Sequence, residues 1–290
     1  MMKKLLGKTV NYFSLVKFSH TIFAMPFALV GFFLGSKDHN DGISVRLLIL
    51  VIACMVFARS AAMAFNRVAD HHFDSLNPRT AGRELPSGKI SRKAAIIFVI
   101  ASSLLFIVTT GFINRLTLFL SPVALIIILG YSYTKRFTPL CHLVLGLGLS
   151  LAPVGAYISV TGRFALLPVI YSFLVLTWVS GFDIIYALQD DTFDREKGLY
   201  SIPAVLNRNK ALAVSVTLHL VSVLMVIIAG VIGGGGILFW TGAVVFLILL
   251  LYQHLIVHPD DLSRVNLAFG TTNGIAGLVF ALFVILDLMF

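Results

Sequence analysis

This chain is poor in charge and almost without cysteine. Of its 290 residues only 12% are Asp, Glu, Lys or Arg, about half the share found in a soluble globular domain. Too few charges are present to clothe an ordinary water-facing surface. Cys54 and Cys141 are the only cysteines and have no paired spacing, which excludes a disulfide framework and a cysteine zinc motif. Acidic residues number 13 against 22 basic ones, giving a formal net charge of +9. That excess would suit a nucleic acid, but no basic domain stands apart from the apolar runs, so nucleic acid is not an expected partner.

What fills the chain instead is apolar sequence. Hydrophobic residues make up 58% of it, mean hydropathy is +0.96, and apolar runs recur from end to end. Set against the roughly 20 residues needed to cross a bilayer, they predict an all-α, polytopic membrane protein of about nine spans. The expected spans lie near 18–36, 45–65, 94–112, 116–133, 141–160, 165–188, 210–232, 235–257 and 267–289, with the GGGG run at 233–236 as a tight hairpin. Lys3, Lys4, Lys8 and Lys17 precede the first apolar run as they would in a secretory signal. That run closes in GFFLGSKD without a small-x-small cleavage site, so an uncleaved span is expected.

Charge then orients the bundle. With the N-terminus inside, the cytoplasmic segments carry those four lysines, the basic residues of 67–93, Lys135, Arg136, Arg195, Lys197, Arg208, Lys210 and Arg264. The opposite side holds Lys37, Arg46, Arg115 and Arg163. This asymmetry obeys the positive-inside rule and predicts an inner, plasma-membrane protein with its C-terminus outside.

The densest charge lies in Asn66 to Lys93, NRVADHHFDSLNPRTAGRELPSGKISRK. Asn66, Asp70 and Asp74 fall four residues apart, which stacks three oxygen-bearing side chains on one face if the second span continues as a helix. Arg59, seven residues before Asn66, shares that face, and an arginine inside a span points to a cavity or a partner. The sixth span repeats the device: Asp183, Tyr186, Asp190 and Asp194 follow at steps of three, four and four. Asp191 and Glu196 fall off this stripe and are expected to be solvated. The repetition is a weak internal echo, two bundles facing each other across one cavity.

Carboxylates and an amide, without cysteine or histidine at matching steps, favour Mg²⁺ over zinc or copper, and Mg²⁺ commonly bridges protein carboxylates and substrate phosphates. Arg79, Arg83 and Lys135 are placed to take the remaining phosphate charge. Tyr131 and Lys135, four apart at a cytoplasmic helix end, fit either an interface anchor with a snorkelling lysine or a diphosphate contact. His71 and His72 are expected to face water, His20 to carry no role, and Asn266, Thr271, Thr272 and Asn273 to bond between helices. The rival from another class is an ion-coupled transporter, in which paired Asp residues hold a coupling cation near mid-membrane. Clustering of the carboxylates with Arg and Lys at one edge suits a phosphate better.

Asn-x3-Asp-x3-Asp followed by a basic PSG segment, then Tyr-x3-Lys, then Asp-x2-Tyr-x3-Asp-x3-Asp, resembles the UbiA superfamily of intramembrane prenyltransferases over nearly the whole chain. NRVADHHFDSLNPRTAGRELPSGKIS and FDIIYALQDDTFDREKGLYSIP resemble its 4-hydroxybenzoate polyprenyltransferase branch, which includes members of menaquinone synthesis by the futalosine route. The resemblance implies one membrane domain over 1–290, with a central cavity open to the cytoplasmic side. Asn66, Asp70, Asp74, Asp190 and Asp194 would hold Mg²⁺ and diphosphate, while Arg79, Arg83, Tyr131, Lys135 and Tyr186 would be further contacts. Arg59 and Asp183 would hold an aromatic acceptor. The implied partners are a polyprenyl diphosphate, an aromatic acid such as 4-hydroxybenzoate, and the bilayer, in ubiquinone or menaquinone synthesis. Naphthoate, homogentisate, haem or glycerol phosphate acceptors share the same metal motifs. Where the family's first motif commonly opens Asn-Asp, Arg67 follows Asn66 here; it lies off the metal stripe and bears on the choice of acceptor.

Overall fold

The computed structural model describes residues 23–39 and 42–290 together with Leu15. Among the described residues the chain is helical, apart from an isolated bridge between His258 and Asp261. In order come α1 (Met25–His39), α2 (Val45–Ala69), the short α3 (His71–Leu76), α4 (Arg92–Gly111), α5 (Arg115–Thr134), α6 (Cys141–Thr161) and α7 (Leu166–Ala187). After two short helices, α8 (Asp191–Glu196) and α9 (Ile202–Leu206), follow α10 (Arg208–Gly233), α11 (Ile237–Ile256) and α12 (Asn273–Met289). A π-helical stretch, Leu267–Thr272, leads into α12.

Local chemistry sets these boundaries. Ser44 and Ser91 cap α2 and α4 by accepting the N–H of Leu47 and Ala94, supplying partners for N-terminal amides that have none inside the helix. Asn114 and Thr117 form a reciprocal capping box at α5. The Asn114 amide also donates to Ile158 O at 2.9 Å, tying the start of α5 to α6. Gly234, at φ +66°, ends α10 in the left-handed conformation. Such a terminus favours glycine, and α11 starts three residues later, as the GGGG run leads one to expect.

Eight helices among the described residues are long and apolar enough to cross a membrane. The protein is an integral membrane protein, and its expected spans from 45–65 onward fall on these helices. Helix α1 is 15 residues long within the described residues. Lys3, Lys4, Lys8, Lys17, His20 and the start of the expected 18–36 span lie outside them.

Burial reveals the layout. The α7–α8 segment buries 67% of its most apolar window, against 28% for α2, α4, α10 and α11. So α7 is the central helix, packed between α6 and α10, and the outer helices turn Ile97, Leu104, Val108, Leu251 and Leu255 outward. In water those faces would drive association; in lipid they are the solvated surface. Close backbone approach holds the centre together. A Cβ on Gly31 would collide with the Pro153 carbonyl across α1 and α6, and one on Gly146 with Leu176 O across α6 and α7. Small residues at such crossings let helices gain dispersion contact, the main attraction available in a membrane. Trp178, Phe27, Phe246 and Phe280 fill the space between α1, α7, α11 and α12. Asn273 accepts from Trp178 Nε1 at 3.1 Å and donates to Gln253 Oε1 at 2.7 Å, the interhelical bonding expected of it.

Candidate active site

Both acidic motifs begin where a long helix breaks. Helix α2 ends at Ala69, and Asp70 has φ −90° and ψ 6°. The stacking of Asn66, Asp70 and Asp74 is conditional on the second span continuing as a helix; the helix stops and restarts as α3. The four-residue ladder nevertheless crosses the break, since Asp70 N–H bonds Asn66 O at 2.9 Å and Asp74 N–H bonds Asp70 O at 2.8 Å. Helix α7 likewise passes through a 3₁₀ turn, Leu188–Asp190, and Asp190 has φ −112° and ψ 3° before α8 begins. Aspartate suits such breaks because its side chain competes with the helical backbone. Asp70 and Asp190 therefore sit at the C-terminal, partially negative ends of long helices, where the helix dipole adds to their demand for cations. Asp74 and Asp194 fall in the first turns of α3 and α8.

Cations meet that demand one for one. Arg79 donates from Nε to Asp190 Oδ1 at 2.9 Å, closes a second contact from Nη2 to Oδ2, and reaches the Tyr186 hydroxyl at 2.8 Å. Asn77 adds a 2.9 Å bond to the same Asp190 Oδ1, and its own side-chain oxygen accepts Arg79 N–H. Arg83 lies 2.7 Å from Asp74, Lys135 2.7 Å from Asp194, and Arg136 3.7 Å from Asp70. Ser201 Oγ donates to Asp194 Oδ2 at 2.9 Å, and Asn66 Nδ2 to Asp70 Oδ2 at 2.9 Å. Burial, and then the neighbouring Asp74, push the Asp70 carboxyl up to about 6, although Lys135, Arg136 and Arg67 oppose them. Burial works against the charge on Lys135, but Asp194 outweighs it and holds the ammonium above its ordinary range.

These groups line one polar cavity of about 290 Å³. Every site residue expected from the sequence is on its wall: Arg59, Asn66, Asp70, Asp74, Arg79, Arg83, Tyr131, Lys135, Asp183, Tyr186, Asp190 and Asp194. A second cavity of about 330 Å³, almost wholly apolar, shares Arg59, Met63, Tyr131, Leu145 and Leu149 with the first. A charged head and an apolar tail thus have adjoining compartments.

Asp183 faces the polar cavity from α7, and His142 Nδ1 stands 2.7 Å from its Oδ2. Ile202 N–H donates to His142 Nε2 at 3.3 Å, which leaves Nδ1 as the protonated nitrogen directed at the carboxylate. No sequence signal points to His142, because 41 residues separate it from Asp183. Ser201 and Asn77 were missed for the same reason, although the Asn-Pro-Arg run around Asn77 is a turn signal. One expectation is overturned: Asp191 is not solvated. It is buried, and Arg208 of α10 donates to both its oxygens at 2.9 and 3.0 Å. Its off-stripe direction turns it away from the cavity into the next helix. Glu196 is exposed, as expected.

Among the described residues no three His, Cys, Asp or Glu side chains are gathered closely enough to hold a metal by themselves. Each acidic pair is instead drawn apart onto its basic partners. The donor set still fits a hard divalent cation, being all oxygen. In addition, Asp74 Oδ2 is buried without a hydrogen-bond partner among the described residues, an arrangement that costs free energy unless a cation fills it.

Comparison with known proteins agrees with this architecture. The model of the UbiA prenyltransferase family matches residues 24–284. A 4-hydroxybenzoate octaprenyltransferase of Nitrosospira multiformis is 30% identical over 238 residues, covering 81% of each chain. Its counterpart in Francisella tularensis subsp. novicida is 29% identical over 83% of this chain and 84% of its own. Among solved structures, the apo UbiA homolog of Aeropyrum pernix K1 superimposes with a TM-score of 0.83 at 34% identity, over 92% of this chain and 98% of the other. A UbiA homolog of Archaeoglobus fulgidus bound to DMAPP and Mg²⁺ shares the fold, with a TM-score of 0.77 at 20% identity over 96% and 99%. The chain therefore belongs to the UbiA prenyltransferase family and is a membrane-embedded prenyltransferase.

Proposed function

We propose that this enzyme transfers a polyprenyl group from an allylic polyprenyl diphosphate to an aromatic acid of the 4-hydroxybenzoate type, with Mg²⁺, in quinone biosynthesis. One observation carries the reading: four carboxylates from two helix breaks, each matched to a cation, stand on a polar cavity that adjoins an apolar one. The names of the curated relatives supply the acceptor class. Charge asymmetry supports a polar cavity on the cytoplasmic side of the plasma membrane, in what would be a single membrane domain.

Asn66, Asp70, Asp74, Asp190 and Asp194 would hold the divalent cation, which when bound supplies positive charge to the leaving diphosphate. Arg79, Arg83 and Lys135 turn from the carboxylates they neutralise to the oxygens of the diphosphate, so the pairs seen here are the substrate-free arrangement of one charge-balanced set. They stabilise the charge that develops as the allylic C–O bond breaks. Apolar walls around Met63, Leu145 and Leu149 keep water from the allylic cation. Arg59, shared by both cavities, would bind the acceptor's carboxylate. Asp183, oriented by His142, receives the proton released when the aromatic ring has attacked.

The test is to incubate purified protein with a polyprenyl diphosphate and 4-hydroxybenzoate, with and without Mg²⁺, and to detect prenylated product by mass. Product that requires Mg²⁺ and falls by roughly 10³-fold or more in an Asp70→Asn, Asp190→Asn double variant is expected. Diphosphate binding without product would redirect the acceptor to another aromatic acid. A protein that binds no prenyl diphosphate would end the reading.

A further inference from the structure

Four basic side chains of the polar cavity, Arg79, Arg83, Lys135 and Arg136, each face a carboxylate. Arg67 does not. It projects from the last turn of α2, is 3% exposed, and lines the cavity. Its guanidinium makes no hydrogen bond or ion pair with any described residue, and its Nε is buried without a partner. The charged and titratable groups around it are Arg83, Asp74, Tyr131, Glu84 and Asp70. Asp74 attracts Arg67 only at a distance: its Oδ1 is taken by Arg83, and its Oδ2 meets no donor among the described residues.

A buried guanidinium that no carboxylate directly bonds is a costly arrangement unless an anion completes it. Arg67 and Arg83 lie together beside the first acidic motif, where the one carboxylate oxygen in direct contact, Asp74 Oδ1, is taken by Arg83. We propose that Arg67 is a binding residue for the diphosphate of the prenyl donor, taking phosphate oxygens alongside Arg83 at the Asp74 end of the cavity. Its planar fork suits two phosphate oxygens at once. The acceptor's carboxylate is the other anion available, but the neighbours of Arg67 belong to the first acidic motif rather than to the Asp183–His142 pair. On this proposal position 67 reads the donor rather than the acceptor.

This inference rests on the proposed function, and one experiment separates the two. Binding of inorganic pyrophosphate in the presence of Mg²⁺ is measured by calorimetry on detergent-purified wild type, Arg67→Gln and Arg67→Lys, with thermal melting as the control for folding. Wild-type protein that binds no pyrophosphate overturns the diphosphate reading of the whole cavity. Given wild-type binding, Arg67→Gln is expected to weaken it roughly 10–100-fold, and Arg67→Lys to recover part of the loss, since lysine keeps the charge but not the fork. In turnover, KM for the prenyl diphosphate rises while KM for the aromatic acid stays the same. Wild-type pyrophosphate affinity in Arg67→Gln, or a KM increase confined to the aromatic acid, overturns the inference. Should Arg67→Gln fail to fold, Arg67→Lys carries the test: weakened pyrophosphate binding supports the assignment, and unchanged affinity overturns it.

Discussion

Asp70 and Asp190 sit at matching helix breaks, with nearly the same backbone angles, yet the two motifs are neutralised in different ways. The first is the more self-contained: its Asp74 pairs with Arg83 nine residues on, inside the same loop, and its longer-range pair, Asp70 with Arg136, stands at 3.7 Å. The second borrows its cations: Asp190 takes Arg79 from 111 residues away, and Asp194 takes Lys135 from the end of α5. Its Asp194 is also the more enclosed, with a side chain 1% exposed against 29% for Asp70. A local ion pair forms with little loop-closure cost, whereas a pair spanning a hundred residues is ordered only by the packed bundle. The difference suggests that the second motif is fixed by the fold, while the first retains freedom to respond to a ligand.

The largest effect should come from breaking the link between the motifs. Arg79→Ala removes the guanidinium that joins the first loop to Asp190 and Tyr186, and is expected to lower kcat/KM by roughly 10²–10³-fold. Arg83→Ala, which breaks a pair within one loop, should cost less, on the order of tenfold. Steady-state kinetics on both variants decides it, and equal losses would remove the asymmetry.

A second, smaller effect belongs to the first motif alone. With the Asp70 carboxyl pushed up to about 6, the fold without a divalent cation holds a proton that the unfolded chain has already lost. Stability of that form should therefore fall as pH rises from the ordinary Asp range through about 6. Divalent binding displaces the proton, so apparent Mg²⁺ affinity should fall about tenfold per pH unit below that value and level off above it. Mg²⁺-dependent melting shifts between about pH 5 and pH 7.5 test this, and Asp70→Asn should flatten the slope.

The smallest effect lies beside the second motif. Asp191 looks like part of the acidic cluster but pairs with Arg208, whose side chain is 34% exposed. Exposure screens such a pair, so Asp191→Asn should cost roughly 1 kcal/mol or less of stability. Pyrophosphate affinity should be unaltered. A large loss of pyrophosphate binding would return Asp191 to the site.

Much of this protein was legible in one dimension because the bilayer imposes a simple rule. A spanning segment must be long, apolar and internally hydrogen-bonded, so the runs from 45 onward mark α2, α4–α7 and α10–α12 within a few residues. The polar stripe was legible for a similar reason: a charge inside a membrane helix is rare enough to announce a cavity, which singles out Arg59 and Asp183. Periodicity also separated Asp190 and Asp194 from Asp191. It said only that Asp191 points elsewhere, and Arg208 on α10 determines that elsewhere is a buried ion pair. Straight continuation of α2 fails because the i to i+4 ladder is kept across its break, so the stripe carries no trace of the interruption, and the 3₁₀ turn after α7 is as silent in the spacing.

By itself, then, the sequence determined an all-helical membrane protein, its helix positions, and the set of polar residues on two helix faces, because these follow from local periodicity and from the solvent. Tertiary structure alone decided which cation meets which carboxylate, that His142 holds Asp183, that Ser201 holds Asp194, and that Arg67 meets no hydrogen-bond partner among the described residues. Those pairings join residues tens to more than a hundred positions apart. Their geometry is a property of packed helices and not of any segment, and close crossings such as those at Gly31 and Gly146 are what hold those helices together.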